Sequence, residues 1–180
     1  ISCGSVHSCF LTKDKNSYTV GSKYYNGIGD NDILVPTKIS LNEKIISISC
    51  GTGGYHTLAL TNKGELFSWG HNRVGQLCIS NEYIKKTTTH YILKNKDGEV
   101  NTPSISDTPE DEDDEHDEQF ENGYDIHTIN ENNEQSEIQE CMIVTKPIKV
   151  PLDMSIKRIG AAWGHSLLLS KNNKLYVCGS

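Results

Sequence analysis

The sequence predicts an all-β chain: part of a β-propeller with four-stranded antiparallel blades, interrupted by a long disordered acidic insertion. Three observations predict it. One spacing recurs three times, a histidine followed by a glycine fourteen residues later, at His7–Gly21, His56–Gly70 and His165–Gly179. A fixed recurrence of this kind marks a repeat architecture. Within each copy the apolar positions alternate, as in Leu58 and Leu60 or Phe67 and Trp69, which is the period of strand and not of helix. Finally, each unit of about fifty residues has room for four short strands, the arithmetic of a propeller blade.

The elements follow in order. Cys9 and Leu11, Leu58 and Leu60, and Leu167 and Leu169 place one strand after each histidine. Tyr18 and Val20, Phe67 and Trp69, and Tyr176 and Cys178 place the next. Between them lie tight turns. Asn62-Lys63-Gly64 uses a glycine that can take positive φ, and Asn172-Asn173-Lys174 uses asparagine, which also tolerates it. The first copy has Lys13-Asp14-Lys15-Asn16, read as one residue longer, so its hairpin is expected to differ. A further strand precedes each hairpin, at Ile45–Cys50 and Ile156–Ala161. Another lies at Thr37–Ile39, with Ile148–Val150 as its later counterpart.

Charge divides the chain. The formal total is −7, yet residues 97–145 hold seventeen acidic residues and no Lys or Arg. The remainder therefore has seven acidic against seventeen basic residues, a formal +10. Aligning the units sizes the added segment at about 62 residues within one inter-strand loop. Its centre, Glu110–Glu118, is almost wholly acidic and offers little to bury, so the ordering entropy is not offset. The chain is accordingly divided into 1–79, propeller repeats; 80–145, an acidic low-complexity insertion, mostly disordered, with Ser80–Lys96 semi-ordered near the blade; and 146–180, the end of the second repeat and half of a third. It opens at Ile1 partway through one unit and stops at Ser180 within another. It is thus expected to be a piece of a longer protein, with about two and a half blades and no stable monomeric state by itself.

The six cysteines, Cys3, Cys9, Cys50, Cys78, Cys141 and Cys178, form no C-x-x-C pair. Cys9 and Cys178 fill strand positions held by Leu58 and Trp69 in another copy and read as small core hydrophobes, with zinc or disulfide roles for the cysteines as the alternative. Reduced thiols of this kind suggest an intracellular home, nuclear or cytoplasmic. His7, His56 and His165 hold equivalent places in successive blades, so they do not converge on one metal; hydrogen bonding to backbone at the strand start is their expected task. Gly51-Thr52-Gly53-Gly54 lacks the Lys-Ser/Thr and helix of a phosphate loop. Trp69 and Trp163 are expected to pack between neighbouring blades. No catalytic, cofactor or metal residues are assigned, no cofactor is expected, and no transmembrane run or membrane partner is foreseen.

The second copy runs Ile48-Ser49-Cys50-Gly51-Thr52-Gly53-Gly54-Tyr55-His56-Thr57-Leu58-Ala59-Leu60-Thr61 and then Gly64 through Trp69-Gly70-His71-Asn72-Arg73-Val74-Gly75-Gln76-Leu77. This closely resembles the repeat of the regulator-of-chromosome-condensation family, with its C/A-G-x-x-H-[ST]-x-x-L-[ST] strand and W-G-x-N-x-x-G-Q-L-G segment. Ala162-Trp163-Gly164-His165 is a further variant. The departures are Lys23 and Asn26, where the motif has Asn and Gly, and Cys78 in place of the closing Gly. Kelch and WD units fit less well. Gly53-Gly54-Tyr55 is not repeated, and no Trp-Asp dipeptide occurs.

The resemblance implies a closed propeller of about seven blades that binds partners through loops on one face. It implies a non-catalytic protein-interaction scaffold. The alternative is a guanine-nucleotide exchange factor for a Ran-type small GTPase, with chromatin or nucleic acid approached through the basic blades. Fold alone does not decide between these.

Overall fold

The computed structural model describes residues 1–29, 31–94, 100–101 and 141–180. Strands dominate, in three antiparallel sheets. The first runs β1 (Ser2–Cys3), β2 (His7–Leu11), β3 (Ser17–Gly21) and β4 (Ile33–Lys38), neighbours in that order. The second starts with β5 (Ile45–Cys50), β6 (His56–Thr61) and β7 (Leu66–His71). Its fourth place goes to β10 (Cys141–Lys149), and β8 (Tyr91–Lys94) and β9 (Val100–Asn101) extend it outward. The third sheet has β11 (Ile156–Ala161), β12 (His165–Ser170) and β13 (Leu175–Gly179). This is the all-β, bladed architecture that the repeat predicts.

The pairing register explains the recurring interval. His7 lies opposite Gly21, His56 opposite Gly70 and His165 opposite Gly179 across the hairpin. At Gly70, with φ 97°, a Cβ would fall on the backbone carbonyl of Tyr55, the residue before the histidine. Gly21 and Gly179 meet the carbonyls of Val6 and Gly164 in the same way. The histidine and glycine are therefore one ladder rung, with glycine enforced by the close approach of the opposite chain.

All three hairpins turn alike, contrary to the expectation for the first. Thr12 N donates to Asn16 O at 3.0 Å, Thr61 N to Glu65 O at 2.9 Å and Ser170 N to Lys174 O at 2.9 Å. Lys15, Gly64 and Asn173 hold the same place with φ 62°, 85° and 60°. Counted from the histidines they share one offset, so no residue is added. The first hairpin instead holds a lysine in the left-handed region.

The second sheet completes its blade with a strand from the far side of the insertion. The register of β10 against β7 slips between Val144 and Ile148, a bulge that takes up Pro147, which has no N–H to donate. Helix α1 (Asn81–Thr87) starts where Ser80 Oγ accepts from Tyr83 N at 3.2 Å, and it buries Ile84. Leu58, Leu66, Ile84, Met142, Val144 and Leu168 belong to one core shared by the second sheet, α1 and the third sheet. A second core unites Cys9, Ile39, Ile45, Cys50, Ala59 and Trp69 across the first two sheets. Within 80–145, then, α1, β8, β9 and the start of β10 are built onto the blade. The disorder expected for the rest, including Glu110–Glu118, concerns residues 95–99 and 102–140, outside the described residues.

Two cysteine readings need correction. Cys178 is not a core hydrophobe: it is half-buried and disulfide-bonded to Cys78, 100 residues away, with Cα atoms 5.2 Å apart. The cause is spatial, since the loop after β7 reaches the last strand of the next sheet. The reduced-thiol reading narrows to the four free cysteines, Cys3, Cys9, Cys50 and Cys141. Cys9, by contrast, is buried as expected. Trp69 is fully enclosed between the first and second sheets, and its indole N–H donates to Tyr25 O at 3.0 Å. Trp163 reaches across to the Gly53 loop of the neighbouring sheet while staying 75% exposed, so it packs between blades at the surface.

Candidate interaction face

Sheet-to-sheet joints set the positions of the loops, and they follow one rule used twice. His7 Nε2 lies 2.6 Å from Thr57 Oγ1, and His56 Nε2 lies 2.8 Å from Ser166 Oγ. Each histidine thus reaches the hydroxyl that follows the next copy's histidine, which gives the His-Ser/Thr dipeptide a structural reason. The expected backbone bond occurs once, from His56 Nδ1 to Gly54 O at 3.3 Å. A second pair of contacts repeats too. Ser2 Oγ accepts from Cys50 N and Ser49 Oγ from Ala161 N, both at 2.9 Å. Cys50 and Ala161 are thereby equivalent.

The joint histidine His56 is pushed down to about 4 by burial, the Gly54 carbonyl opposing that shift. Its unfolded value is near 6.5, so stability from the neutral ring is full above pH 6.5 and is lost as pH falls toward 4. The expected loss is about 3 kcal/mol. Urea midpoints of the protein at pH 7.5 and pH 4.5 check this: wild type should drop steeply, and His56→Gln should flatten the difference.

These joints align three loops at one end of the sheets. Ser22–Gly29 follows β3, Gly51–Tyr55 precedes β6, and Asn72–Ser80 follows β7. Asn72 braces the last of these, its Oδ1 accepting from Leu77 N at 3.0 Å and its Nδ2 donating to Ile79 O at 3.0 Å. In the first copy the job passes to Asn26, whose Oδ1 accepts from Ile28 N and Gly29 N and whose Nδ2 donates to Gly21 O and Asn31 O. The apparent motif departure at Asn26 thus keeps the function of the missing asparagine from three residues further on.

Across these loops runs a chain of half-buried rings. Tyr24 and Tyr25 have centroids 6.1 Å apart, Tyr25 and Tyr55 5.2 Å, and Tyr55 and His71 6.4 Å. Tyr55 is held at φ 52°, an uncommon conformation for an aromatic residue that directs it into this row. Cations flank the rings: Lys94 Nζ sits 4.8 Å and Lys23 Nζ 5.3 Å from the Tyr24 centroid, and Arg73 is exposed beside His71. Burial, helped by Cys141, Tyr55 and Tyr24, pushes the Tyr25 phenol up. It stays a neutral hydrogen-bonding group.

His71 and Cys141 form a close pair, with Nε2 to Sγ at 2.8 Å. Burial keeps both of its members neutral. Gln76 Oε1 accepts from Val74 N at 3.0 Å, which turns the Gln76 amide NH₂ toward His71 Nδ1 at 3.4 Å. Burial pushes the Cys141 thiol up, and burial, then Arg73 and Lys94, bring His71 down to about 4.

Elsewhere, buried His7, Cys9 and Cys50 bring their donor atoms within 4.8 Å of one another. Cys50 is drawn down to about 4, chiefly by its hydrogen bond with Cys9 and against the effect of burial; the same bond, with burial, raises Cys9. The three repeat histidines do not meet. Sequence reasoning passed over the tyrosine row. Its one signal was Tyr55, an aromatic where the other copies have Val6 and Gly164. Among the described residues no helix is long and apolar enough to cross a membrane.

Residues 45–76 match the family pattern described as "Regulator of chromosome condensation (RCC1) repeat". The human E3 ubiquitin-protein ligase HERC2 is 43% identical over 82 residues, 43% of this chain and 2% of that protein. SCF-associated factor 1 of Saccharomyces cerevisiae is 33% identical over 114 residues, 59% of this chain and 17% of that protein. The chain therefore spans less than a fifth of either relative. Among solved structures, yeast RCC1 (Prp20) bound to Kap60 aligns with a TM-score of 0.62 at 19% identity, over 98% of this chain and 31% of that one. Prp20p from Saccharomyces cerevisiae, in a study of its binding to Gsp1p and histones, aligns at 0.60 and 19%, over 98% and 32%. Those identities speak for the fold alone. Residues 45–76 thus carry a regulator of chromosome condensation repeat, and the thrice-kept rung and twice-kept joint set it in a β-propeller fold like that of the aligned structures.

Proposed function

We propose that these blades act as a protein-docking scaffold that receives an acidic partner surface on the tyrosine row. The observation that carries this reading is the juxtaposition of Tyr24, Tyr25 and Tyr55 with Lys23, Arg73 and Lys94. Tyrosine supplies large contact area at small entropic cost, and tyrosine and arginine are enriched where binding energy concentrates. The flanking cations steer an acidic partner and set its orientation. The Cys141–His71 pair, the nearest approach to catalytic machinery on this face, is held by burial as a neutral thiol and a neutral imidazole. Docking therefore fits the face better than chemistry does.

A second reading is nucleotide exchange on a Ran-type GTPase, favoured by the likeness to Prp20p, a protein studied for its binding to Gsp1p. Exchange would require the face to hold the nucleotide-free GTPase more tightly than the loaded form. Two measurements separate the readings. Release of labelled GDP from a Ran-type GTPase is followed with and without the protein, and proximity labelling in cells compares wild type with Tyr55→Ala/Lys94→Glu. Scaffolding predicts unchanged GDP release and a defined set of neighbours lost from the variant. Accelerated release would replace it with exchange, and an unchanged neighbour set would overturn docking at this face.

A further inference from the structure

We propose that His7, Cys9 and Cys50 form a zinc(II) site that pins the first sheet to the second. His7 and Cys9 come from β2 and Cys50 ends β5, so the three donors converge from two sheets. All are buried, and their ligand atoms lie within 4.8 Å of one another. Zinc binds thiolate sulfur at about 2.3 Å and imidazole nitrogen at about 2.0–2.1 Å, which sets its donors roughly 3.3–3.8 Å apart. A contraction of at most about 1.5 Å closes the site.

The other joint supplies an internal control. It is built on the same plan, yet its equivalents of Cys9 and Cys50 are Leu58 and Ala161. The repeat therefore does not demand thiols there. The histidines differ as well. His56 bonds through both ring nitrogens, whereas His7 Nδ1 is buried with no hydrogen-bond partner among the described residues. The His7 ring brings one nitrogen into the cluster with the two sulfurs. The two sulfurs hydrogen-bond one another and each meets one hydroxyl, Cys9 Sγ at 3.9 Å from Thr19 Oγ1 and Cys50 Sγ at 3.7 Å from Thr57 Oγ1.

Charge selects the ion. Two thiolates and a neutral imidazole carry −2, so a divalent thiophilic cation leaves the buried joint neutral, and a monovalent one would not. On binding, each thiol gives its proton to solvent, two S–Zn bonds and one N–Zn bond form, and nothing is oxidised or reduced. Thr57 Oγ1, 2.6 Å from His7 Nε2, lines the fourth side of the cluster.

The test is metal content and cobalt spectroscopy of the purified full-length protein after dialysis against a weak chelator. One zinc per chain should remain, and cobalt(II) exchanged for it should show thiolate-to-metal charge transfer in the near ultraviolet. Both signals should fall at least tenfold in C9L/C50A, which copies the second joint, and in C9A/C50A should leucine fit poorly. Both should persist in C3S/C141S, which removes the remaining free thiols. Absence of retained metal in folded wild type, equal retention in C9L/C50A, or a Cys9–Cys50 disulfide in its place would overturn the proposal.

Discussion

Truncating Trp69 to alanine is expected to lower the unfolding free energy by about 3–5 kcal/mol. The indole is wholly enclosed between the first two sheets, in the core with Cys9, Ile39 and Ile45. Its removal leaves a cavity at a joint braced from both sides, so little collapse can fill it. It also strips the Tyr25 carbonyl of its indole donor and frees the loop that positions the tyrosine row. Urea unfolding of the protein with Trp69→Ala and Trp69→Phe checks both effects. Phenylalanine should recover most of the packing loss but not the Tyr25 hydrogen bond. Partner affinity should therefore recover less than stability does.

Alanine at Gly70 should be nearly as damaging, about 2–4 kcal/mol, by a different route. At φ 97° a methyl group is strained before any neighbour is considered, and here it also falls on the Tyr55 carbonyl. Relief requires the β6–β7 rung to open where His56 reaches Ser166. Gly75, also at positive φ but with open space around its Cβ position, is the control. Gly75→Ala should cost only the backbone strain, about 1–2 kcal/mol. Thermal unfolding of the two variants side by side gives the comparison.

The strands, the turns and the inter-blade task of Trp69 were legible because they are local. Alternation places Leu58 with Leu60, and an asparagine or glycine marks a turn wherever the spacing puts it. What escaped was the identity of neighbours across sheets. Spacing shows that His7 and His56 are equivalent, but not that each reaches the next copy's hydroxyl. The same limit hid the Cys78–Cys178 bond, which spans 100 residues, and the meeting of Cys9 with Cys50. The first hairpin was misjudged by counting turn residues instead of offsets from the histidine, by which Lys15 stands where Gly64 does. The tyrosine row was hidden for another reason. Tyr24, Tyr25 and Tyr55 lie in loops outside the alternating pattern, and only the joints bring those loops to one end.

The double-mutant cycle between His56 and Ser166 puts this architecture to its hardest trial. His56→Ala, Ser166→Ala and the double variant are compared by urea unfolding of the protein at pH 7.5, where the ring is neutral. A direct bond between consecutive copies predicts a coupling energy of about 1 kcal/mol or more. Additive losses, agreeing within about 0.3 kcal/mol, would mean that the two residues do not touch and that the blades are not joined by the repeated histidine.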